Sequence, residues 1–244
     1  MEKKRIDKLL VDLGLASNRE KARAMILAGS VIVNDQRIDK PGIKICSNDS
    51  IRIRGKDQPY VSRGGQKLEK ALKEFNLQVN GRTALDIGAS TGGFTDCLLR
   101  HGAKKVYSLD VGYGQLAWSL RQDPRVVCIE RTNIRNVTHH DFPDPFDLIT
   151  IDVSFISLTL VLPVVKDLLK TDGEAICLIK PQFEVGKGEV GKKGVVRDAV
   201  KHQKVVGEIT RFSQEIGLEP CAVTESPVLG PKGNKEFLIY LKKR

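Results

Sequence analysis

Residues 84–94 read Ala84-Leu85-Asp86-Ile87-Gly88-Ala89-Ser90-Thr91-Gly92-Gly93-Phe94, an apolar strand running into a glycine-rich turn and then a helix. A turn of this kind lets a ligand approach the backbone beside a helix N-terminus. Nicotinamide and ATP sites place phosphate there, and a carboxylate beside it would repel phosphate. Asp86, two residues before the first glycine, suits a cationic ligand instead. S-adenosylmethionine carries both an ammonium and a sulfonium, and is the expected cofactor.

Outward from this turn, apolar strands are predicted at 83–87, 106–110, 126–130, 147–151 and 174–179, with helical stretches between the first three and between the last two. Two later strands, near 220–225 and 236–241, flank a turn rich in Gly and Pro. Alternating strands and helices with buried strands predict a parallel sheet covered on both faces. A sixth strand followed by a returning seventh is the pattern of the α/β Rossmann-like methyltransferase fold. Asp110, at the end of the second strand, is placed to accept hydrogen bonds from ribose hydroxyls. Asn133, after the third strand, offers an amide to adenine. The expected cofactor residues are therefore Asp86, Gly88, Ser90, Gly92, Gly93, Phe94, Asp110 and Asn133.

The chain before this domain has a different texture. Ile6, Leu9, Leu10 and Leu13 recur at helical spacing and Gly14 ends that helix. Ser17 and Glu20 read as a capping box for a second helix with an apolar face of Ala22, Met25 and Ile26, closed by Gly29. Val31–Val33, a turn at Asn34-Asp35, Ile43–Ile45 and Ile51–Ile53 read as short strands. Residues 1–57 are expected to form one small α+β domain and 58–244 the other, with 58–63 as linker.

The chain of 244 residues carries 40 Lys and Arg against 30 Asp and Glu, a net charge of +10, which favours a polyanionic partner. No stretch resembles a signal peptide or a run long enough to span a bilayer. The five cysteines are scattered with no C-x-x-C pair, which suggests neither a disulfide framework nor a zinc site. No metal is expected, and the protein reads as cytoplasmic. Gly186–Lys192 imitates a phosphate-binding P-loop, but Lys193 stands where Ser or Thr must hold magnesium. Its lysines, Lys187, Lys192 and Lys193, are expected to meet RNA instead.

The acceptor atom can be narrowed. Asp152-Val153-Ser154-Phe155 lacks the prolines common after the fourth strand of amino-group methyltransferases. A cytosine-carbon enzyme needs a nucleophilic cysteine. Pro220-Cys221 fits that dipeptide but lies at the start of a late strand, and Cys177 is mid-strand. Oxygen is the remaining acceptor, with Cys221 chemistry and a non-catalytic RNA-binding protein as the alternatives. Lys180 closes the apolar run Leu178-Ile179-Lys180 at the ligand edge, where a lysine could serve as base for a ribose 2′-hydroxyl.

Two resemblances sharpen this reading. Residues 5–42, from Arg5-Ile6-Asp7 through Gly14-Leu15-Ala16-Ser17-Asn18-Arg19-Glu20 to Lys40-Pro41-Gly42, resemble the αL RNA-binding domain of a small-subunit ribosomal protein and of pseudouridine synthases. That resemblance implies RNA contacts from Arg19, Lys21 and Arg23. Tyr60–Leu68, Asp152, Lys180 and Asn234-Lys235-Glu236 together resemble the TlyA family, whose catalytic domain is related to FtsJ-type ribose methyltransferases. The resemblance implies 2′-O-methylation of cytidine in ribosomal RNA, on the RNA itself or an assembled subunit, by a tetrad matching Lys67, Asp152, Lys180 and Glu236, and adds Arg63 as an RNA contact. Asn133 stands where many relatives have an acid. The short C-terminus resembles a subgroup associated with the large-subunit RNA. Some members carry the name haemolysin, but the membrane segment direct lysis would need is not visible in this sequence.

Overall fold

The computed structural model describes residues 3–34, 36–46, 49, 51–53, 59–186, 188–191 and 194–244. It divides into two compact units, Met1–Gln58 and Pro59–Arg244. Lys187, Lys192, Lys193 and residues 54–58 lie outside the described residues.

In the first unit, strand β1 (Lys3–Arg5) leads into helices α1 (Ile6–Asp12) and α2 (Arg19–Leu27), followed by β2 (Val31–Val33), β3 (Gln36–Ile38), β4 (Lys44–Cys46) and β5 (Ile51–Ile53). The strands form two small sheets, β1-β4 and β3-β2-β5, around a core of Ile6, Leu9, Leu10, Ala22, Ile26, Val31 and Ile45. Gly14 and Gly29 both adopt left-handed backbones, at φ +66° and +67°. Each ends its helix with the same pair of bonds, Gly14 N–H to Val11 and Leu15 N–H to Leu10 in the first, Gly29 N–H to Ile26 and Ser30 N–H to Met25 in the second. The start of α2 differs from the expected capping box. Asn18, not Ser17, is the cap, its Oδ1 accepting the Lys21 N–H at 2.8 Å. Strands β1 and β3 went unread in the sequence because neither carries an alternating apolar run; both are mainly exposed.

The second unit begins earlier than a linker at 58–63 would allow. Tyr60 is buried, and a Cβ on Gly65 would lie 2.2 Å from its ring. The Val61 N–H donates to Asp96 Oδ2 at 2.9 Å. From Tyr60 on, this segment is packed against the second unit.

Helix α3 (Gly64–Glu74) precedes the alternating series β6 (Thr83–Ile87), α4 (Gly93–Arg100), β7 (Lys105–Leu109), α5 (Trp118–Arg121), β8 (Val126–Ile129), β9 (Phe146–Ile151), α6 (Leu162–Leu168) and β10 (Leu169–Ile179). A short α7 (Pro181–Glu184), a long α8 (Ala199–Glu215), β11 (Leu218–Glu225) and β12 (Phe237–Lys243) complete it. The seven strands lie in the order β11-β12-β10-β9-β6-β7-β8. Pairings among β8, β7, β6, β9 and β10 are parallel, while β12 runs antiparallel to both β10 and β11. This is the α/β Rossmann-like methyltransferase architecture, with the returning seventh strand inserted beside the fifth. Alternate residues serve opposite faces. Ile149, Ile151, Cys177 and Ile179 pack with Val165 of α6 and Val205 of α8. Leu148, Ile176 and Leu178 pack with Leu68 of α3 and Leu98 of α4. Both faces are buried, which is why the strands read as continuous apolar runs.

Candidate active site

The parallel strands β6, β7, β9 and β10 end at Ile87, Leu109, Ile151 and Ile179, so Gly88, Asp110, Asp152 and Lys180 follow them at one edge. Ile179 pairs with Phe237, which brings Glu236, just before antiparallel β12, to the same edge. Lys67 reaches it from the first turn of α3. Four residues spread over 170 positions thus meet. Lys67 Nζ lies 2.7 Å from Glu236 Oε2 and 3.9 Å from Asp152 Oδ2, and Lys180 Nζ lies 2.5 Å from Asp152 Oδ1. Lys180 also donates to Ser154 Oγ at 2.9 Å. Lys67, Lys180 and Glu236 are buried, and two cations against two carboxylates is the balance that makes such burial tolerable. Gln182 Nε2 approaches Glu236 Oε1 at 3.5 Å.

Two adjoining cavities open here. One, of about 350 Å³, is lined by Arg63, Lys67, Gly88, Phe94, Asp152 and Lys180, among others. The other, of about 670 Å³, runs along Asp110, Val111, Asn133, Ile134 and Phe155. Gly88, Ser90, Asp152 and Ser154 line both. Gly88, at φ +83°, has no room for a side chain, since a Cβ would stand 2.5 Å from the Asp152 carbonyl oxygen. Gly93 brings α4 equally close to the segment before α3, where a Cβ would meet Ser62 Oγ at 2.2 Å. The glycine turn thus sets two walls of the site as well as a ligand surface.

Asp110, just after β7, and Asn133, after β8, line the larger cavity. The Asp110 carboxylate also accepts the Ser90 N–H at 2.8 Å and the Gly112 N–H at 2.7 Å, which ties the glycine turn to the end of β7. Asn133 Oδ1 accepts the Arg135 N–H at 3.0 Å, while the residue remains exposed.

Asp86 departs from expectation. It is fully buried, lines neither cavity, and accepts from Thr95 Oγ1 at 2.7 Å and Thr150 Oγ1 at 3.0 Å. The Thr95 backbone N–H also favours its charged form. Its partner is therefore the positive end of α4, beneath the glycine turn, and its side chain faces Thr95 and Thr150 rather than either cavity. The strand pattern explains this, because Leu85 and Ile87 face one side of the sheet and Asp86 must point to the other, under α4. Burial pushes its carboxyl up to about 7, against the lowering effect of the two hydroxyl bonds, with the Asp152 charge adding a smaller upward push.

Ser154 was missed in the sequence, and no spacing signal marks it. Cys221 sits on edge strand β11 level with Ala175 and Ile176 of β10, about 15 Å along the strands from Lys180. It lines neither cavity, so cytosine-carbon chemistry through it is not supported. Cys177 is fully buried. In the first unit, Lys21 and Arg23 are exposed, but Arg19 is engaged. Its Nη2 lies 2.9 Å from Oδ2 of Asp7, a fully buried carboxylate that Arg5 also grips with two bonds of 3.0 Å. These guanidinium bonds hold the Asp7 carboxyl well below the usual range, against burial.

The FtsJ-like methyltransferase family matches residues 60–243, nearly the whole second unit. The chain belongs to that family. This FtsJ-like methyltransferase also carries an S4 domain, matched over residues 4–51. It is 52% identical over 241 residues to a Bacillus subtilis protein named “Putative rRNA methyltransferase YqxC”, covering 98% of this chain and 86% of the relative. It is 45% identical over 239 residues to the 16S/23S rRNA (cytidine-2′-O)-methyltransferase TlyA of Mycobacterium tuberculosis, covering 98% and 89%. Among solved structures, one described as “Putative hemolysin from Streptococcus thermophilus” superposes with a TM-score of 0.77 at 46% identity, covering all of this chain and 89% of that one.

Proposed function

We propose that this chain transfers a methyl group from S-adenosylmethionine to the 2′-hydroxyl of a cytidine in ribosomal RNA, with Lys180 as the base. The observation that carries the proposal is the convergence of Lys67, Asp152, Lys180 and Glu236 at the end of two adjoining cavities. The cofactor fits the larger cavity by donor chemistry. Asp110 would take the ribose hydroxyls, Asn133 would meet the adenine edge, and Val111 and Ile134 offer apolar walls. Gly88, Ser90, Gly93 and Phe94 would frame the methionine end, with Asp86 acting on it through α4; Gly92 lines neither cavity and instead turns the backbone into α4 at φ +98°, against Leu116 and Leu120. When bound, the cofactor supplies an electrophilic methyl on a sulfonium.

The residues of this chain then do the rest. Lys180 accepts the proton of the 2′-hydroxyl as the oxygen gains its methyl, and Asp152, in contact with its Nζ, stabilises the resulting ammonium. Lys67, bound to Glu236 and near the second oxygen of Asp152, holds that carboxylate in place. Lys21 and Arg23 of the S4 domain and Arg63 at the cavity supply phosphate contacts. Arg19 serves first as a partner of Asp7. Lys187, Lys192 and Lys193 remain RNA contacts on sequence grounds alone. The substrate is free ribosomal RNA or a subunit, and the setting is the cytoplasm. Among the described residues no helix is long and apolar enough to cross a membrane, and nothing in either cavity supports lysis as a direct activity.

The test is single-turnover transfer from radiolabelled cofactor to ribosomal RNA, with the product located by mass spectrometry. Lys180→Arg keeps the charge but cannot take up a proton, so it should lose at least about 100-fold in rate while binding RNA normally. A Lys180→Arg enzyme near the wild-type rate would remove Lys180 from the role of base.

A further inference from the structure

A base must present its lone pair in one direction, and the neutral amine of a lysine can rotate about its last carbon bond. Beyond that carbon the nitrogen has three tetrahedral positions, two for hydrogens and one for the lone pair. Two acceptors within hydrogen-bond range of the nitrogen would fix the hydrogens and so aim the lone pair. Lys180 has that arrangement, with Asp152 Oδ1 at 2.5 Å and Ser154 Oγ at 2.9 Å.

We infer that Ser154 is a positioning residue that, with Asp152, turns the Lys180 lone pair into the cavity where the acceptor hydroxyl enters. This rests on the assignment of Lys180 as base. Lys180 and Ser154 both line the smaller cavity, together with Gly88 and Asp152, and it is into this cavity that the third position on the nitrogen would open.

The loop carrying both acceptors is held for this purpose. Asp152 and Ser154 follow β9, and Phe155 next to them has φ +63°, an uncommon backbone for an aromatic residue that needs support from its surroundings. That support comes from the turn just after Lys180. Glu184 of α7 accepts from Ser157 Oγ at 2.6 Å and from the Leu158 N–H at 2.9 Å, while Phe155, itself 90% exposed, touches the loop's neighbour Phe183 with ring centroids 4.9 Å apart. The loop bearing the two acceptors is thereby tied by two hydrogen bonds to the segment that follows the base.

Proton transfer is balanced in this arrangement. The hydroxyl O–H bond breaks as its proton joins the lone pair, the O–CH₃ bond forms, and the C–S bond of the sulfonium breaks to leave a neutral thioether. Lys180 ends as an ammonium whose third hydrogen occupies the former lone-pair position, still bound to Asp152 and Ser154.

The test compares Ser154→Thr with Ser154→Val, which are matched in shape and differ in the hydroxyl, beside Ser154→Ala and Lys180→Arg. Single-turnover rates are measured, with cofactor affinity by calorimetry and RNA affinity by filter binding. Loss of one orienting hydrogen bond should slow transfer about three- to tenfold in the Ala and Val variants, with both affinities within about twofold of wild type. The Thr variant should recover the rate. Ala and Val variants at the wild-type rate, or a Thr variant as slow as Val, would overturn the inference. So would a rate loss matched by an equal loss of cofactor affinity. An inactive Lys180→Arg alongside an unaffected Ser154→Val would leave the base assignment standing and remove only Ser154, whereas an active Lys180→Arg would remove the base itself.

Discussion

Replacing Asp86 by Asn separates two roles for the acid that precedes the glycine turn. In the structure Asp86 is fully buried beneath α4, and burial raises its carboxyl from 3.8 to about 7. Between those values the unfolded chain has released this proton while the folded protein retains it. Folding therefore binds a proton in that window, and the Asp86 contribution to stability falls as pH rises from about 4 to about 7, then stays at its lower level. The difference between 3.8 and about 7 corresponds to at most about 4 kcal/mol. For a domain of this size each kcal/mol moves the melting temperature by about 2–4 °C. Asn is never charged and can still accept from Thr95 and Thr150. Its extra N–H groups need acceptors, but that cost is the same at every pH. Relative to wild type, Asp86→Asn should therefore gain stability between pH 5 and pH 8, on the order of 10 °C at the upper limit. Thermal unfolding at the two pH values measures it, and calorimetry at pH 8 should find S-adenosylmethionine affinity largely kept. A stability difference that does not change with pH, or one that moves against the variant at pH 8, would refute the buried, raised carboxyl. Loss of most cofactor affinity in a well-folded variant would restore direct contact with the ammonium.

Gly88→Ala should abolish transfer and lower stability, because its Cβ would meet the Asp152 carbonyl oxygen at 2.5 Å on a left-handed backbone; a soluble variant at the wild-type rate would contradict that packing. Lys21→Ala with Arg23→Ala should weaken RNA binding and reduce the salt slope by about 2, read from filter binding between low and moderate salt. Arg19→Ala should differ from these by destabilising the S4 domain, since Asp7 loses one of its two guanidinium partners; the effect is about 1 kcal/mol because Arg5 keeps its grip and Arg19 is half exposed, and thermal unfolding would detect it.

Much of the fold was legible in residue order alone. The central strands announce themselves because both sheet faces are covered, so Ile176–Ile179 is apolar throughout and Leu148–Ile151 is broken only by Thr150, whose hydroxyl serves Asp86. Glycine positions at 14, 29, 88 and 92 were legible for a local reason, since left-handed turns draw on glycine wherever they occur. The tetrad was found by resemblance, not by spacing. Nothing in the sequence between them, a separation of 169 positions, says that Lys67 touches Glu236; that contact exists because antiparallel β12 returns beside β10 and ends its pairing at Ile179.

Other features belong to tertiary structure. The residue type and place of Asp86 suggest a ligand for a cation, yet strand alternation turns the side chain under α4, and only packing reveals which side of the sheet a single acid faces. Arg19 on a basic helix looks like a phosphate contact until the fold brings Asp7 to it from twelve residues away. Ser154 gains a role only because β9 and β10 are neighbours and Glu184 latches the loop between them. Local sequence determined the elements and their caps, whose forces act within a few residues. Long-range pairing decided which side chains met, because contact across a sheet depends on strand order, which no short stretch contains.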